Sequence, residues 1–306
     1  MGRILPAMKF ETHAQYDPLR VANAQSAFLT VWAGLGAWHS DLVLVGGLVP
    51  SYLCGDLSAP RLLPRPVTLD TDLGIELGAT LGQYGSLQLD LQAQGFRLSK
   101  DEFGGPRFVK TVGDFTVPVD FLTEHPPATQ GTTEVADVPA NIVPGINRAL
   151  ALAREVMVKG VDLHGARQEL TVRVCEAGPF LAMKLRAFAR RQAPKDAFDL
   201  LYTLLHYDRG TPAAVAAFGE EIGARNAACP DAVACLRQHF RDEQSSAPVR
   251  AAMFVLGPPV PGESGDMRFR RLQIQQDVVD AGRLVLAAVP ETRGGRKVGD
   301  PDSSQS

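Results

Sequence analysis

Residues 67–77 read VTLDTDLGIEL, from Val67 to Leu77. Apolar and polar positions alternate along this stretch, which predicts a half-buried β-strand. Side chains two apart on a strand share a face, so Asp70 and Asp72 point the same way. Two carboxylates that close repel, and each raises the other's pKa. A divalent cation relieves the conflict, and Mg²⁺ favours a few carboxylates together with phosphate oxygens and water. An acidic pair of this kind also decorates the solvated face of ordinary sheets. Its meaning depends on what stands around it.

Upstream, Asp17 to Trp38 carries apolar residues at helical spacing. Leu42-Val43-Leu44-Val45 then makes a short apolar run halted by Gly46-Gly47, a buried strand entering a tight turn. Leu48 to Leu53 starts a helix, and the proline-bearing stretch from Gly55 to Pro66 is a loop. Downstream, Leu81 to Gln94 reads as a helix stopped by Gly95. Arg107 to Val112 and Phe115 to Leu122 flank Gly113-Asp114 as a hairpin. A helix is expected over Ala149 to Met157 and a strand over Leu170 to Val174. From Pro179 to about Phe240 the pattern is helical. Ala251 to Leu256 reads as core, Pro258 to Gly265 as a loop, and Leu272 to Val289 as a last helix. The expected fold class is α+β, with an α/β domain over 1–175, a helical domain over 176–291 and a polar, disordered tail over 292–306.

The chain has 306 residues of which 45% are hydrophobic, enough for a sizeable core. Its formal net charge of -3 excludes a wholesale basic coat, so any polyanion must meet a local patch. Cys54, Cys175, Cys229 and Cys235 form no CxxC pair, and the six histidines show no metal-ligand spacing. Free thiols in a reducing compartment follow. The first residues lack an apolar leader core, and no apolar run is long enough to span a membrane. The expected location is the cytoplasm, with no membrane partner.

Asp120, in VPVDFL, is an acid flanked by apolar residues on a neighbouring strand. Such an acid needs a cleft or a partner. Asp70, Asp72 and Asp120 together suit two-metal phosphoryl chemistry, with Asp120 placed to take a proton from the attacking hydroxyl. Gly46 and Gly47 let backbone N–H groups approach phosphate, although the same dipeptide also serves plain turns. Ser51 is a candidate phosphate contact or a helix cap.

In the helical half, Leu181, Leu185 and Phe188 define a core stripe, and Lys184 falls inside it. A lysine there either reaches into a cleft and offsets developing charge or snorkels from the stripe's edge. Pro194 ends this helix and begins another. Asp196 suits the dipole of the first turn. Asp199 lies off the stripe of Phe198, Leu201 and Leu205, either solvated or orienting Lys184 or Lys195. Arg186, Arg190 and Arg191 form a basic cluster for phosphate or RNA, or a solvated face.

The set of a strand, VLVGG, then LDTDL, then VDF resembles the polymerase-β-like nucleotidyltransferases. The stretch PFLAMKLRAFARRQAPKDAFDLLYTL, Pro179 to Leu205, is similar to the KLxAxxxR…KDxxDL segment of the AbiEii/AbiGii-type nucleotidyltransferase-like toxin family. Lys184, Leu185, Ala187, Arg190, Arg191, Lys195, Asp196, Asp199 and Leu200 carry that likeness. The spacing from Gly47 to Asp70 is longer than in the family, and Arg65 and Thr68 are further apart than its Arg-x-Ser/Thr pattern. The resemblance implies a minimal nucleotidyltransferase domain that binds Mg²⁺ (or Mn²⁺) through Asp70, Asp72 and Asp120. Lys184 and Asp199 would join them as catalytic residues. Gly46, Gly47, Ser51, Thr68 and Lys195 would bind the nucleoside triphosphate. It also implies NMP transfer to RNA (tRNA) or protein, as the toxin of a type IV-like toxin–antitoxin pair with a cognate antitoxin. Alternatives are an aminoglycoside-type small-molecule nucleotidyltransferase and a catalytically inactive nucleotide- or partner-binding module of the same fold.

Overall fold

The structure, a computed structural model, describes residues 10–54, 63–76, 85–100 and 105–290. Residues 81–84 of the expected helix, residues 55–62 of the expected loop and the expected tail over 292–306 lie outside them.

Helix α1 spans Pro18–Gly34, opened by the Asp17 side chain accepting from the Arg20 N–H and by Pro18 in the first turn. It was expected to run on to Trp38. It stops instead at Gly34, and a 3₁₀ turn, Gly36–Trp38, replaces its last residues. Two glycines within three positions weaken a helix end. Strand β1, Leu42–Val45, is buried throughout and enters the Gly46–Leu48 turn and the short α2, Val49–Leu53. Strand β2 covers Thr71–Ile75, shorter than the alternation suggests, so Asp70 stands just ahead of the strand. Then come α3 (Leu87–Ala93), β3 (Arg97–Ser99) and the expected hairpin, β4 (Arg107–Val112) with β5 (Phe115–Thr123).

A second hairpin, β6 (Thr132–Val135) with β7 (Val138–Ile142), was not foreseen. The helix expected over Ala149 to Met157 is a correction. Helix α4 is Ile146–Ala151, and the chain turns at Leu152 into strand β8, Ala153–Val161. Val156, Val158 and Val161 favour extended backbone, and β8 pairs along its whole length with β9, Arg167–Cys175. The short strand expected at Leu170 to Val174 is the inner part of β9.

The second half is helical: α5 (Ala177–Arg191), α6 (Pro194–His206), α7 (Thr211–Gly223), α8 (Cys229–His239), α9 (Ser246–Leu256) and α10 (Gly265–Ala287). α5 begins two residues before Pro179, and α10 begins well before Leu272, where the Ser264 side chain accepts from the Met267 N–H.

Among the described residues nine strands form one mixed sheet in the order β3-β4-β5-β2-β1-β9-β8, with β7 on β5 and β6 on β7. β2 lies antiparallel to β1 and parallel to β5. Helices cover the sheet and then pack on one another, giving an α+β fold. One apolar cluster runs from Phe28 and Trp32 of α1 through β1 and β5 to Phe180, Phe198 and Phe254 of the helical half. A buried clasp reinforces the join. Arg148 of α4 donates to both oxygens of Glu221 on α7, at 3.0 and 2.9 Å, and Asn226 donates to the same carboxylate at 2.7 Å. The four cysteines are free and buried. Burial pushes the Cys54 thiol up to about 12.

Candidate functional site

The strand register puts Asp72 of β2 directly beside Asp120 of β5. Paired residues on adjacent strands project to one face, so these two carboxylates are neighbours. Asp72 is half-buried, whereas Asp120 is only 6% exposed. Arg107, at the start of β4, donates to Asp120 Oδ2 at 2.8 Å and supplies the charge that a buried carboxylate requires. Asp70, also half-buried, accepts from the buried Thr68 hydroxyl through Oδ1.

The glycine turn closes on this acidic pair. Gly46 has φ +72°, and a Cβ there would overlap the Asp72 carboxylate. A Cβ on Gly47 would lie 2.6 Å from Thr68 Oγ1 and 2.9 Å from Lys195 Nζ. Both positions therefore need glycine, the first for its backbone angle and both for space. The Gly47 contacts also show that the sheet and the helical half meet at this turn.

From the helical side come α5 and α6, joined by the left-handed Gln192 and the extended Ala193 that precedes Pro194. Lys195 Nζ donates to Asp199 Oδ2 at 2.6 Å, and Lys184 Nζ donates to the same oxygen at 3.0 Å. Lys184 also reaches Asp196 Oδ1 at 3.3 Å and lies 5.5 Å from the Phe180 ring centre. Arg191 donates to both Asp196 oxygens, with Nη2–Oδ1 at 2.8 Å. Asp199 is fully buried, and among the described residues its Oδ1 has no hydrogen-bond partner.

Electrostatics tie the two halves together. Burial opposes the charge on Lys195, but the charge and hydrogen bond of Asp199, helped by Asp70 and Asp196, outweigh it and raise the pKa. For Arg191 burial is likewise overcome, first by Asp196 and then by Asp72 and Asp70. Asp70 and Asp72 thus act on cations carried by α5 and α6.

Gly46, Gly47, Thr68, Asp70, Asp72, Asp120, Lys184, Lys195 and Asp199 all fall in this neighbourhood. Ser51 does not join them; it lies exposed on α2. The solvated alternative for Asp199 is overturned by its burial. Asp196 is more than a dipole partner, because it is 1% exposed and bridges Lys184 and Arg191. The arginine cluster divides. Arg186 is buried on Asp231 and the Thr129 carbonyl, Arg190 faces Gln130, and Arg191 alone of the three contacts Asp196.

One residue was missed. Arg107 was legible in principle: counting outward from the Gly113-Asp114 turn places it opposite Asp120.

Among the described residues, no three His, Cys, Asp or Glu side chains are already gathered as a metal-ligating group. The donor chemistry of Asp70, Asp72 and Asp120 nevertheless suits a hard divalent cation, because every donor is a carboxylate oxygen. The space left by the missing Cβ of Gly46 is filled by the Asp72 carboxylate, which lies against a turn whose N–H groups suit anions. Among the described residues no helix is long and apolar enough to cross a membrane. Comparison of the chain with protein-family models, with curated proteins and with solved structures gives no match.

Proposed function

We propose that this protein is a Mg²⁺-dependent nucleotidyltransferase with a polymerase-β-like site, acting in the cytoplasm. One observation carries the reading. The glycine turn touches the strand acid Asp72 on one side and the helical cation Lys195 on the other. Acids for a cation, N–H groups for phosphate and buried lysines for developing charge therefore converge on one turn.

Asp70, Asp72 and Asp120 would hold Mg²⁺ or Mn²⁺. The bound cation would supply charge against the triphosphate and lower the pKa of the attacking hydroxyl. Gly46 and Gly47 admit the phosphates to close backbone approach. Lys195 and Arg191 offset the negative charge that develops on the leaving group. Asp199 fixes Lys184 and Lys195 in place and keeps Lys195 protonated. The acceptor oxygen forms a bond to the α-phosphorus as the bond to the bridging oxygen breaks. The acceptor's proton passes to Asp120, and pyrophosphate leaves. The sequence resemblance supports RNA or protein as acceptor and a role as a toxin held by an antitoxin.

Calorimetry with ATP, GTP, CTP and UTP, with and without Mg²⁺, tests the proposal. Binding that needs Mg²⁺ and is lost in the Asp70→Asn, Asp72→Asn double variant is expected. Absence of binding for every triphosphate to folded protein refutes it.

A further inference from the structure

The sheet ends on β8, and among the described residues nothing pairs with the outer edge of that strand. The opposite end, β3, has three residues and the side branch ends on β6 with four, whereas β8 has nine. Short end strands protect a sheet from pairing with other chains, and a long straight one invites it. β8 pairs with β9 residue for residue from Ala153 to Val161, with no bulge to twist the edge away. The Asp162 N–H donates to the Ala166 carbonyl at 2.9 Å, which sets the phase of the ladder. Arg154, Val156, Val158 and Gly160 turn their N–H and C=O groups toward β9, and Ala153, Glu155, Met157, Lys159 and Val161 turn theirs outward. The Trp32 indole fits the same phase, because it donates at 3.0 Å to the carbonyl of Thr171, the residue opposite Met157. That carbonyl points away from β8, as the alternation requires.

The side chains sort the same way. Val158 is buried, and a Cβ on Gly160 would lie 2.6 Å from Leu29 Cδ1, so the face that carries them rests on α1. The other face carries Glu155, Met157, Lys159 and Val161, all exposed, with Met157 at 54% and Val161 at 48%. Glu155 and Lys159 lie symmetrically on either side of Met157. Antiparallel pairing of β8 with a copy of itself, centred on Met157, therefore sets Glu155 opposite Lys159 of the second copy and Lys159 opposite its Glu155. The same register sets Arg154 opposite Gly160, Val156 opposite Val158 and Ala153 opposite Val161, so no like charges meet. It also makes the outward-facing residues the hydrogen-bonded pairs: Ala153 with Val161, Glu155 with Lys159 and Met157 with itself. Sliding the copy by one further step of the ladder, in either direction, leaves both charges opposite apolar residues. Lys159 already meets Glu169 at 2.8 Å, but both side chains are more than half exposed, so that contact is weak and the ammonium has donors left for a second carboxylate.

We propose that the protein self-associates through this edge, as a two-fold dimer in which the two β8 strands pair antiparallel about Met157 and join the sheets of the two copies into one. Lysine in an edge strand ordinarily deters pairing. Here an acid at the symmetric position turns the deterrent into a choice of partner. A strand without the same pattern leaves both charges unmatched, and a second copy matches them. The contact is a single pair of strands, so the association is weak and concentration-dependent.

Sedimentation equilibrium between about 1 and 300 µM, the range suited to a small contact, measures the monomer–dimer constant. The wild type is expected to dimerise within it. Lys159→Glu and Glu155→Lys each put like charges opposite one another at both ends of the contact, and each is expected to raise the dissociation constant about tenfold or more. A one-to-one mixture of the two variants restores both matched pairs and is expected to dimerise as the wild type does. Met157→Pro removes an N–H that points away from β9, so it is expected to block the dimer while leaving the β8–β9 ladder in place. Thermal unfolding of each variant checks the fold, and the charge variants decide the matter if Met157→Pro does not fold. A wild type that stays monomeric throughout overturns the proposal and leaves the edge to a strand of another protein. Variants that dimerise as tightly as the wild type overturn it by placing the contact elsewhere. A mixture that stays monomeric overturns it by refuting the register centred on Met157.

Discussion

Replacing Asp199 by alanine strips two buried lysines of their shared partner. Lys184 keeps a weaker contact with Asp196 at 3.3 Å, whereas Lys195 loses the carboxylate that stands 2.6 Å from its Nζ. Both lysines are less than a tenth exposed. Removing one member of a buried ion pair costs about 3–5 kcal/mol, because the remaining charge stays desolvated. For a chain of this size that lowers the unfolding midpoint by about 5–8 °C. The pH dependence changes as well. In the wild type, Lys195 has a folded pKa above its ordinary 10.5, so its stabilising contribution is complete below 10.5 and is lost as pH rises through the folded value. Without Asp199, burial dominates and the folded pKa drops below 10.5. The unfolded chain then binds the extra proton, and stability climbs as pH rises toward that value. Urea unfolding followed by tryptophan fluorescence measures both effects, because Trp32 and Trp38 are buried. A loss under about 1 kcal/mol, where the ion-pair range begins near 3, refutes the reasoning. So does a variant whose stability follows the same pH course as the wild type between about pH 8.5 and 10.5, the range below the ordinary lysine pKa.

Gly46→Ala is expected to cost about 2–4 kcal/mol, since φ +72° is strained for alanine and its Cβ displaces the Asp72 carboxylate. Thermal unfolding checks this, and a change under about 0.5 kcal/mol, the ordinary scatter of surface substitutions, contradicts it. Arg191→Ala is expected to weaken Mg²⁺-nucleotide binding about tenfold and to cost about 1–3 kcal/mol of stability, because the buried Asp196 then keeps only Lys184 at 3.3 Å. Calorimetry and urea unfolding separate the two effects, and unchanged affinity with a large stability loss reverses the assignment.

Much of the sheet's centre was readable because its signals are local. The run Leu42 to Val45, the glycines after it and the Gly113-Asp114 hairpin each declare themselves within a few residues. The second hairpin, β6 with β7, did not, because its strands are short and carry polar or half-buried residues such as Glu134 and Asn141. β8 was mistaken for helix over Ala153 to Met157, where Ala, Arg, Glu and Met are good helix formers. Long pairing with β9 overrides that propensity. At the site, the acids and glycines could be named from spacing, yet their partners could not. Whether Asp199 faced water or two lysines depended on how α5 and α6 pack, which no periodicity records.

The most direct test of the proposed chemistry is a crystal of the protein grown with Mn²⁺ and a non-hydrolysable nucleoside triphosphate, measured at the manganese absorption edge. The account predicts anomalous density at Asp70, Asp72 and Asp120, with the triphosphate on the Gly46-Gly47 turn and within reach of Lys195. Manganese and nucleotide bound away from these carboxylates, or absent from a well-ordered site at saturating concentrations, would contradict it.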